Sequence, residues 1–191
     1  MEELINQIKS CNKCELRKTC NAPIPGDWNF NSKILFVGEA PGADEDKQGK
    51  PFVGRSGKLL TSILEDLWFY REKDYYITNI VKCRPPNNRD PKDEEIKTCS
   101  PYLLKQLKLG NFKIIVTLGR FSMNFFIPDL QISKDHWKIF KITKFKWEKF
   151  EDWLFLLPCY HPAVALYNPS KKEEIKKDLS KLKNLVDKLW I

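Results

Sequence analysis

Hydrophobic residues along the chain fall into short unbroken runs separated by longer periodic stretches. The runs are rich in Ile, Val, Tyr and Phe, as buried strands are; they are KILFVG (33–38), YYITNIV (75–81), KIIVTLG (113–119) and WLFLLP (153–158). After the first two runs, hydrophobic residues recur every three or four positions, which is typical of one face of a helix. These stripes are Leu60, Ile63, Leu64, Leu67 and Trp68, then Ile96, Cys99, Leu103 and Leu107. Strands alternating with helices predict an α/β fold whose parallel sheet is covered on both faces.

The second half of the chain contains two other patterns. A spacing of four and three near the C-terminus predicts a final helix that packs one stripe on the sheet and leaves its lysines outside. That stripe is Ile175, Leu179, Leu182, Val186 and Leu189. Residues 136–153 alternate aromatic or aliphatic side chains with lysine, which indicates a two-stranded excursion with one solvated face or, as an alternative, a surface that lines nucleic acid. No repeat or low-complexity linker interrupts the pattern, so we predict a single domain, 1–191.

Composition and charge narrow the class of protein. No apolar run approaches the roughly 18 residues that span a bilayer, and the N-terminal segment lacks the apolar core of a signal peptide. We therefore expect a cytoplasmic protein without a membrane segment or structural disulfides. Lys and Arg number 33 against 25 Asp and Glu, a net charge of +8 that favours a polyanionic partner such as nucleic acid or an acidic membrane surface. A lysine-rich solvated surface explains the same excess.

Polar residues stand at or just past the ends of three predicted strands. Glu39 follows the first run, Asn79 lies near the end of the second, and His161 follows the fourth. Each has an ordinary structural explanation, as a helix cap, a turn-forming Asn or a satisfied histidine. Because loops that leave the carboxyl ends of parallel strands meet at one edge of a sheet, however, the three together predict a ligand pocket there.

The cysteines suggest a second site. Cys11 and Cys14 form a C-x2-C pair, Cys83 follows the second strand, and Cys99 lies on the next helical stripe. These four thiols would suit an iron–sulfur cluster or a structural zinc. The wide separation of the last two favours the cluster, although Cys99 could also be a core residue and the remaining thiols, Cys20 and Cys159, could replace a member of the set.

Six motifs, in this order and spacing, resemble the family 4 uracil-DNA glycosylases, the iron–sulfur (type a) branch of that superfamily. They are CNKC, GEAPG, GKPFVGRSGKLL, YITNIVKCRPPNNRDP, CSPYL and YHPA, between residue 11 and about residue 169. The resemblance implies a three-layer α/β/α sandwich with a four-stranded parallel sheet. It also implies a [4Fe-4S] cluster held by an N-terminal segment and a loop, on Cys11, Cys14, Cys83 and Cys99. The implied activity is a monofunctional DNA glycosylase of base excision repair, which flips uracil out of DNA and hydrolyses its N-glycosidic bond to leave an abasic site.

The resemblance also assigns roles in a uracil pocket. Phe52 would stack on the base, Asn79 would read its edge, and His161 would lie near O2, where negative charge grows as uracil departs. Glu39 is the candidate for orienting water, since Ala40 replaces the Asp that other branches use, while the acidic residues 44–46 are expected to be solvated. The implied set is catalytic His161 and Glu39 and uracil-binding Gly38, Glu39, Ala40, Pro41, Phe52, Asn79 and His161.

Partners follow from the same resemblance. Uracil-containing DNA, single- or double-stranded, would bind a monomer, and a sliding clamp is a further candidate partner. The expected DNA contacts are Lys82, Arg84 and Arg89 on phosphates and Ala165 and Leu166 in the space left by the flipped base. One alternative is a non-catalytic iron–sulfur protein that binds DNA or transfers electrons. Another is a fold that a structural zinc holds together, without a role on DNA. A covalent mechanism through a histidine after the second strand is disfavoured, because the only histidines are His136 and His161.

Overall fold

The sheet is the centre of the fold. A computed structural model describes residues 1–145 and 148–190, and within them the sheet has six strands in the order β1-β3-β2-β4-β6-β5. The strands are β1 (Asp27–Trp28), β2 (Ile34–Gly38), β3 (Tyr75–Asn79), β4 (Ile114–Leu118), β5 (Phe140–Phe145) and β6 (Glu148–Cys159). The four predicted runs form the parallel centre, β3-β2-β4-β6. The four-stranded expectation is corrected at the edges, where β1 and β5 pair antiparallel with β3 and β6.

Helices cover both faces of the sheet, which confirms the three-layer α/β/α arrangement. They are α1 (Glu2–Lys9), α2 (Ala43–Gln48), α3 (Arg55–Asp66), α4 (Arg71–Asp74), α5 (Asp93–Leu109), α6 (Arg120–Phe126), α7 (Ile132–Asp135), α8 (Val164–Tyr167) and α9 (Ser170–Leu189), with short 3-10 turns at Glu15–Lys18 and Pro86–Asn88. Strand β2 is buried throughout. Its Leu35 and Val37 pack with α1, α5 and α6, while Ile34 and Phe36 pack with α3 and α9. Burial on both faces is why this strand is a continuous apolar run.

The predicted helical stripes lie against the sheet, with one exception. Ile175, Leu179 and Leu182 of α9 are buried, as the spacing predicted. In the stripe after β2, Leu60, Ile63 and Leu64 are buried, but α3 ends at Asp66 and Trp68 is largely exposed with a left-handed backbone, φ 69. The prediction that Trp68 belongs to the stripe was therefore wrong. The helical spacing of apolar residues continues in the sequence beyond Asp66, where the helix itself ends.

The lysine-rich excursion is a hairpin of β5 and β6, and it extends the fourth predicted run into a twelve-residue strand. Residues 146 and 147 lie outside the described part of the chain. Before and beyond the turn, Trp137, Ile139 and Trp153 are exposed, and lysines lie over the rings of Trp137 and Trp153. In β5, Lys141, Thr143 and Lys144 are exposed while Ile142 is buried, so this strand has the expected solvated face. No helix in the described ranges is both long and apolar enough to cross a membrane.

Strand register brings the three loops together. Gly38, the last residue of β2, pairs with Asn79, the last residue of β3. The next strands along the sheet, β4 and β6, end at Leu118 and Cys159, so His161 leaves the same edge. The carboxyl ends of all four parallel strands thus place the loops after β2, β3 and β6 around one opening, where ligands of such sheets bind.

Candidate active site

A pocket with a volume of about 330 Å³ opens at this edge of the sheet. This size suits a small planar ligand. It is lined by Glu39, Ala40, Pro41, Gly42, Glu45, Phe52, Ser56, Asn79, Pro85, Asn88, Arg89, His161 and Ala163. The structure therefore brings together all of the residues expected around a base except Gly38, which lies beneath Phe52 and Asn79.

Gly38 makes room for the two side chains above it. A Cβ atom at this position would overlap both Oδ1 of Asn79 and the ring of Phe52. Only glycine lets the amide and the ring approach the backbone this closely. The ring of Phe52 also lies beside the imidazole of His161, with centroids 6.0 Å apart and planes 36° apart. Phe52 and His161 thus form an aromatic wall next to the amide.

Asn79 lines the pocket and carries a buried, unsatisfied acceptor. Its side chain is only 2% exposed, and Oδ1 is buried with no hydrogen-bond partner within residues 1–145 and 148–190. A buried polar atom left unpaired costs about 1–3 kcal/mol. An acceptor held in this state points to a ligand that donates a hydrogen bond to it.

His161 is held as a neutral donor. The main-chain N–H of Ala163 donates to its Nδ1 at 3.2 Å, so in the neutral ring the proton lies on Nε2. Burial lowers the pKa of His161 to about 4 because desolvation disfavours the charged ring. At neutral pH the pocket therefore contains an uncharged imidazole that can donate through Nε2.

Glu39 is a carboxylate poised to titrate near neutrality. The pKa of Glu39 is raised to about 7, mainly by desolvation and then by the negative charge of Asp90, while the positive charge of Arg120 lowers it. Asp90 and Arg120 form an ion pair with each other, 3.0 Å between Oδ2 and a guanidinium nitrogen. The protonation of Glu39 thus depends on a pair of charged side chains that act on it electrostatically.

The burial of Glu45 was not predicted from the sequence. This residue was expected to be solvated, but it is 7% exposed and its Oε1 accepts hydrogen bonds from the main-chain N–H groups of Val53 and Gly54, at 2.9 and 2.7 Å. Asp46 is buried too and accepts from Asn21, whereas Asp44 is exposed, as predicted. No periodicity marks Glu45, because its partners are loop amides that only the folded chain brings near.

Four cysteines line a second cavity. Cys11 and Cys14 enter it from the N-terminal segment, Cys83 from the loop after β3 and Cys99 from α5, and Lys82 and Tyr102 complete its wall. Cys20 is buried close to Cys83, whereas Cys159 belongs to the core on the other face of the sheet. In the described part of the chain, no three Cys, His, Asp or Glu side chains converge closely enough to hold a single metal ion. The donor set is nevertheless four soft sulfur atoms around one enclosed space.

Lys82 does not lie where a phosphate contact requires, which corrects that expectation. Its side chain is 1% exposed, and Nζ donates to Thr78 Oγ1, the Asn79 carbonyl and Gln106 Oε1 at 2.6, 2.7 and 2.8 Å. Its main-chain N–H donates to Cys99 Sγ at 3.2 Å. Lys82 therefore connects the cysteine cavity to the strand end that carries Asn79.

The other residues that were expected to contact DNA differ in their burial and in their distance from the pocket. Arg84 is half-buried and donates to Asn88, and Arg89 lines the pocket rim while paired in two hydrogen bonds with Glu95. Ala165 is buried in the core, so it cannot fill the space of a displaced base, and that expectation is corrected. Leu166 is half-buried, and the next residue, Tyr167, is 88% exposed.

The sequence matches the family model described as the uracil DNA glycosylase superfamily over residues 25–184. It is 44% identical, over 98% of its length, to the type-4 uracil-DNA glycosylase of Archaeoglobus fulgidus, and the match spans 94% of that protein. The type-4 protein of Sulfurisphaera tokodaii is 41% identical over 97% of this chain and 84% of its own length. A type-5 uracil-DNA glycosylase of Thermus thermophilus is 29% identical over 59% of this chain and 57% of its own.

We predict that Lys82→Met lowers the free energy of unfolding by about 2–4 kcal/mol, because buried oxygen acceptors lose their donor. The measurement is urea unfolding at fixed pH. Lys105→Met is the matched control on α5, since Lys105 is exposed, and it should change stability by less than about 0.5 kcal/mol. Equal stability of the two variants would contradict the buried network.

We predict that Asp90 and Arg120 move the pKa of Glu39 in opposite directions. Asp90→Asn should lower it from about 7 and Arg120→Met should raise it, because the first removes a negative neighbour and the second a positive one. The ¹³C shift of the Glu39 carboxyl across a pH titration measures both. Because this folded-state pKa exceeds the unfolded value, the associated stability is present below about pH 4.5 and is lost as pH rises through about 7. Shifts in the same direction would refute the assignment.

Proposed function

The chain belongs to the type-4 uracil-DNA glycosylases of the uracil DNA glycosylase superfamily, and from this premise we propose that it hydrolyses the N-glycosidic bond of uracil in DNA. The product is an abasic site, the substrate of the next step of base excision repair. The observation that carries the proposal is the unpaired Oδ1 of Asn79, in a residue that lines a pocket large enough to take a base.

Asn79 supplies the selectivity. Uracil offers a donor at N3 and an acceptor at O4, so Oδ1 accepts from N3–H while the amide nitrogen donates to O4. Cytosine presents an acceptor at N3 and a donor at the exocyclic amine, the reverse order. A fixed amide would then face two buried mismatches, and each costs about 1–3 kcal/mol. Sites that reject a substrate by leaving polar groups unpaired discriminate strongly.

Phe52 supplies the surface for an extruded base. The glycosidic bond cannot be reached inside the duplex, so the nucleotide must leave the stack or come from single-stranded DNA. Stacking on an aromatic ring contributes about 1–3 kcal/mol per base. The ring of Phe52, beside Asn79 and His161, offsets part of the stacking that uracil loses when it leaves its neighbours.

His161 and Glu39 carry the chemistry. Uracil departs as an anion whose charge collects on O2, and the Nε2–H of the neutral His161 donates to it. Removing a preorganised donor of this kind typically costs about 10²–10³ in kcat. The carboxylate form of Glu39 orients the water that captures the sugar, so we expect activity to rise with pH through about 7.

The cysteine cavity is the proposed site of a [4Fe-4S] cluster on Cys11, Cys14, Cys83 and Cys99. A structural zinc draws its ligands together at about 2.3 Å from one centre, whereas a cluster binds each thiolate through a different iron and needs them spread around a larger body. Four cysteines from three separate segments around one cavity support the cluster. Its role is to tie the N-terminal segment, the loop after β3 and α5 together.

The remaining assignments complete the proposal. Residues 1–191 form one domain that includes the cluster-binding segment, and it acts as a monomer in the cytoplasm, on single- or double-stranded DNA. Arg84, Arg89 and Leu166 are the candidate DNA contacts, since they lie beside the pocket or on α8, the short helix after His161. A sliding clamp stays a candidate partner. The competing function is that of a non-catalytic iron–sulfur DNA-binding protein. The first experiment below distinguishes it from the glycosylase.

We predict strand cleavage at uracil when an oligonucleotide carrying one uracil is incubated with the protein and then treated with alkali. Oligonucleotides with cytosine or thymine at that position should stay intact. Asn79→Ala should lose at least about 10²-fold in kcat/KM, because both edge hydrogen bonds disappear. Asn31→Ala, in an exposed loop, is the matched control and should keep full activity.

Two outcomes of this assay count against the proposal. Binding of the uracil oligonucleotide without cleavage, by protein with its metal intact, would transfer the assignment to the non-catalytic alternative. Cleavage that survives in Asn79→Ala with its uracil selectivity unchanged would remove Asn79 from base recognition.

We predict about four iron atoms and no zinc per chain in anaerobically purified protein, with the brown colour of a cluster. Cys99→Ala should lose the iron, because it removes one of four ligands. Cys20→Ala is the matched control, since this thiol is also buried and close to Cys83 but outside the cavity wall. Retention of iron in Cys99→Ala together with its loss in Cys20→Ala would reassign the fourth ligand. A single zinc would exclude the cluster.

A further inference from the structure

Arg71 lies outside the pocket lining and binds the backbone of the segment that carries Phe52. From the first turn of α4, a guanidinium nitrogen donates to the carbonyl oxygen of Phe52 at 2.7 Å and to that of Gly57 at 3.0 Å. Its Nε donates to Thr61 Oγ1 at 2.5 Å. The side chain is half-buried, and desolvation lowers its pKa from the ordinary value. One planar cation therefore joins three acceptors, on the loop that carries Phe52 and on α3.

The backbone that Arg71 holds is strained. Phe52 has φ 52, in the left-handed region that a bulky side chain rarely adopts. Such a conformation costs on the order of 1–3 kcal/mol and persists only where surrounding contacts fix it. Glu45 binds the next two amides, those of Val53 and Gly54. Charges of opposite sign thus hold consecutive peptide groups, the cation on a carbonyl oxygen and the carboxylate on N–H groups.

The loop that carries Phe52 contacts α3 and borders a second cleft. A Cβ atom on Gly57 would overlap the main chain of Phe52, so α3 already touches the loop on one side. On its outer side a cleft of about 410 Å³ opens, lined by Gln48, Phe52, Val53, Lys58, Thr61, Ser62, Glu65 and Arg71. Arg71 bridges this cleft. Without it, the Phe52 carbonyl would lose its charged partner on the open side.

Trp28 keeps Arg71 in place. The guanidinium lies over the Trp28 ring, 4.1 Å from its centroid, a cation–π geometry that also restricts the rotamers of the arginine. The Trp28 ring packs edge-on against Tyr75, with centroids 6.0 Å apart. Trp28 belongs to β1, the short edge strand that antiparallel pairing adds to the sheet. The edge strand β1 thus supplies the aromatic ring against which the Arg71 guanidinium packs.

We propose that Arg71, backed by Trp28, is a positioning residue that fixes the strained backbone of Phe52 and thereby sets the ring against which the extruded base stacks. This inference rests on the proposed function. Arg71 is absent from the pocket lining, so it acts only through Phe52. Releasing the carbonyl lets φ relax, and the ring then leaves its place beside Asn79 and His161 while those two groups keep theirs.

The test is a double-mutant cycle on kcat/KM for the uracil oligonucleotide. Arg71→Met should reduce kcat/KM by about ten-fold or more, since small displacements of positioning groups cost up to about 10²-fold. Arg71→Lys should fall between, because it keeps the charge but loses the fork that reaches several acceptors. In a Phe52→Ala background Arg71→Met should cause no further loss. Lys73→Met, exposed on the same short helix, should behave as wild type.

A second readout needs no substrate. The ring proton and Cα shifts of Phe52, measured by NMR in the free protein, should move in Arg71→Met and stay in place in Lys73→Met. Unmoved shifts, or losses that multiply in the double variant, would overturn the positioning role. If the wild-type protein leaves uracil in DNA, the proposed function fails, and the Phe52 shifts still decide whether Arg71 holds the ring.

Discussion

The pairing of Gly38 with Asn79 at the ends of two parallel strands is the constraint on which the site depends. The register places the Asn79 amide directly beside a residue without a side chain, and the space above that glycine is filled by the Phe52 ring. An amide acceptor, an aromatic ring and the imidazole of His161 are thereby brought to one opening. A one-residue slip of either strand would turn the amide to the opposite face of the sheet. Backbone hydrogen bonding of the sheet thus fixes the chemistry of the pocket.

Three ionisable side chains, Lys82, Glu45 and Arg71, bind the backbone on which the pocket residues lie. Lys82 donates to the main chain of Asn79 from below, and its own amide contacts Cys99. Glu45 and Arg71 hold the loop that carries Phe52 from its two sides. Because polar groups are costly to leave unpaired inside a protein, these contacts favour one arrangement of the backbone around Asn79 and Phe52. The cysteine cavity and the pocket are therefore neighbouring parts of one network that share the loop after β3.

Much of the architecture followed from the sequence because apolar patterns report burial. The four central strands and the α9 stripe occur where their runs and spacings placed them. Strand β1 was missed because two residues have no periodicity, and Trp68 was misassigned because an apolar residue after a helix end is indistinguishable from one inside it. Lysine composition predicts exposure, which is why the burial of Lys82 was not foreseen. Its partners, Thr78 and Gln106, are brought together only by folding.

The central claim is that the unpaired oxygen of Asn79 accepts a hydrogen bond from N3 of the base. Competition by free bases against cleavage of the uracil oligonucleotide tests it most directly. Uracil and 1-methyluracil should inhibit, because both keep N3–H, whereas 3-methyluracil should inhibit at least about ten-fold more weakly, a difference of about 1.4 kcal/mol for one lost hydrogen bond. The difference should vanish in Asn79→Ala. Equal inhibition by uracil and 3-methyluracil in the wild-type protein would contradict the account.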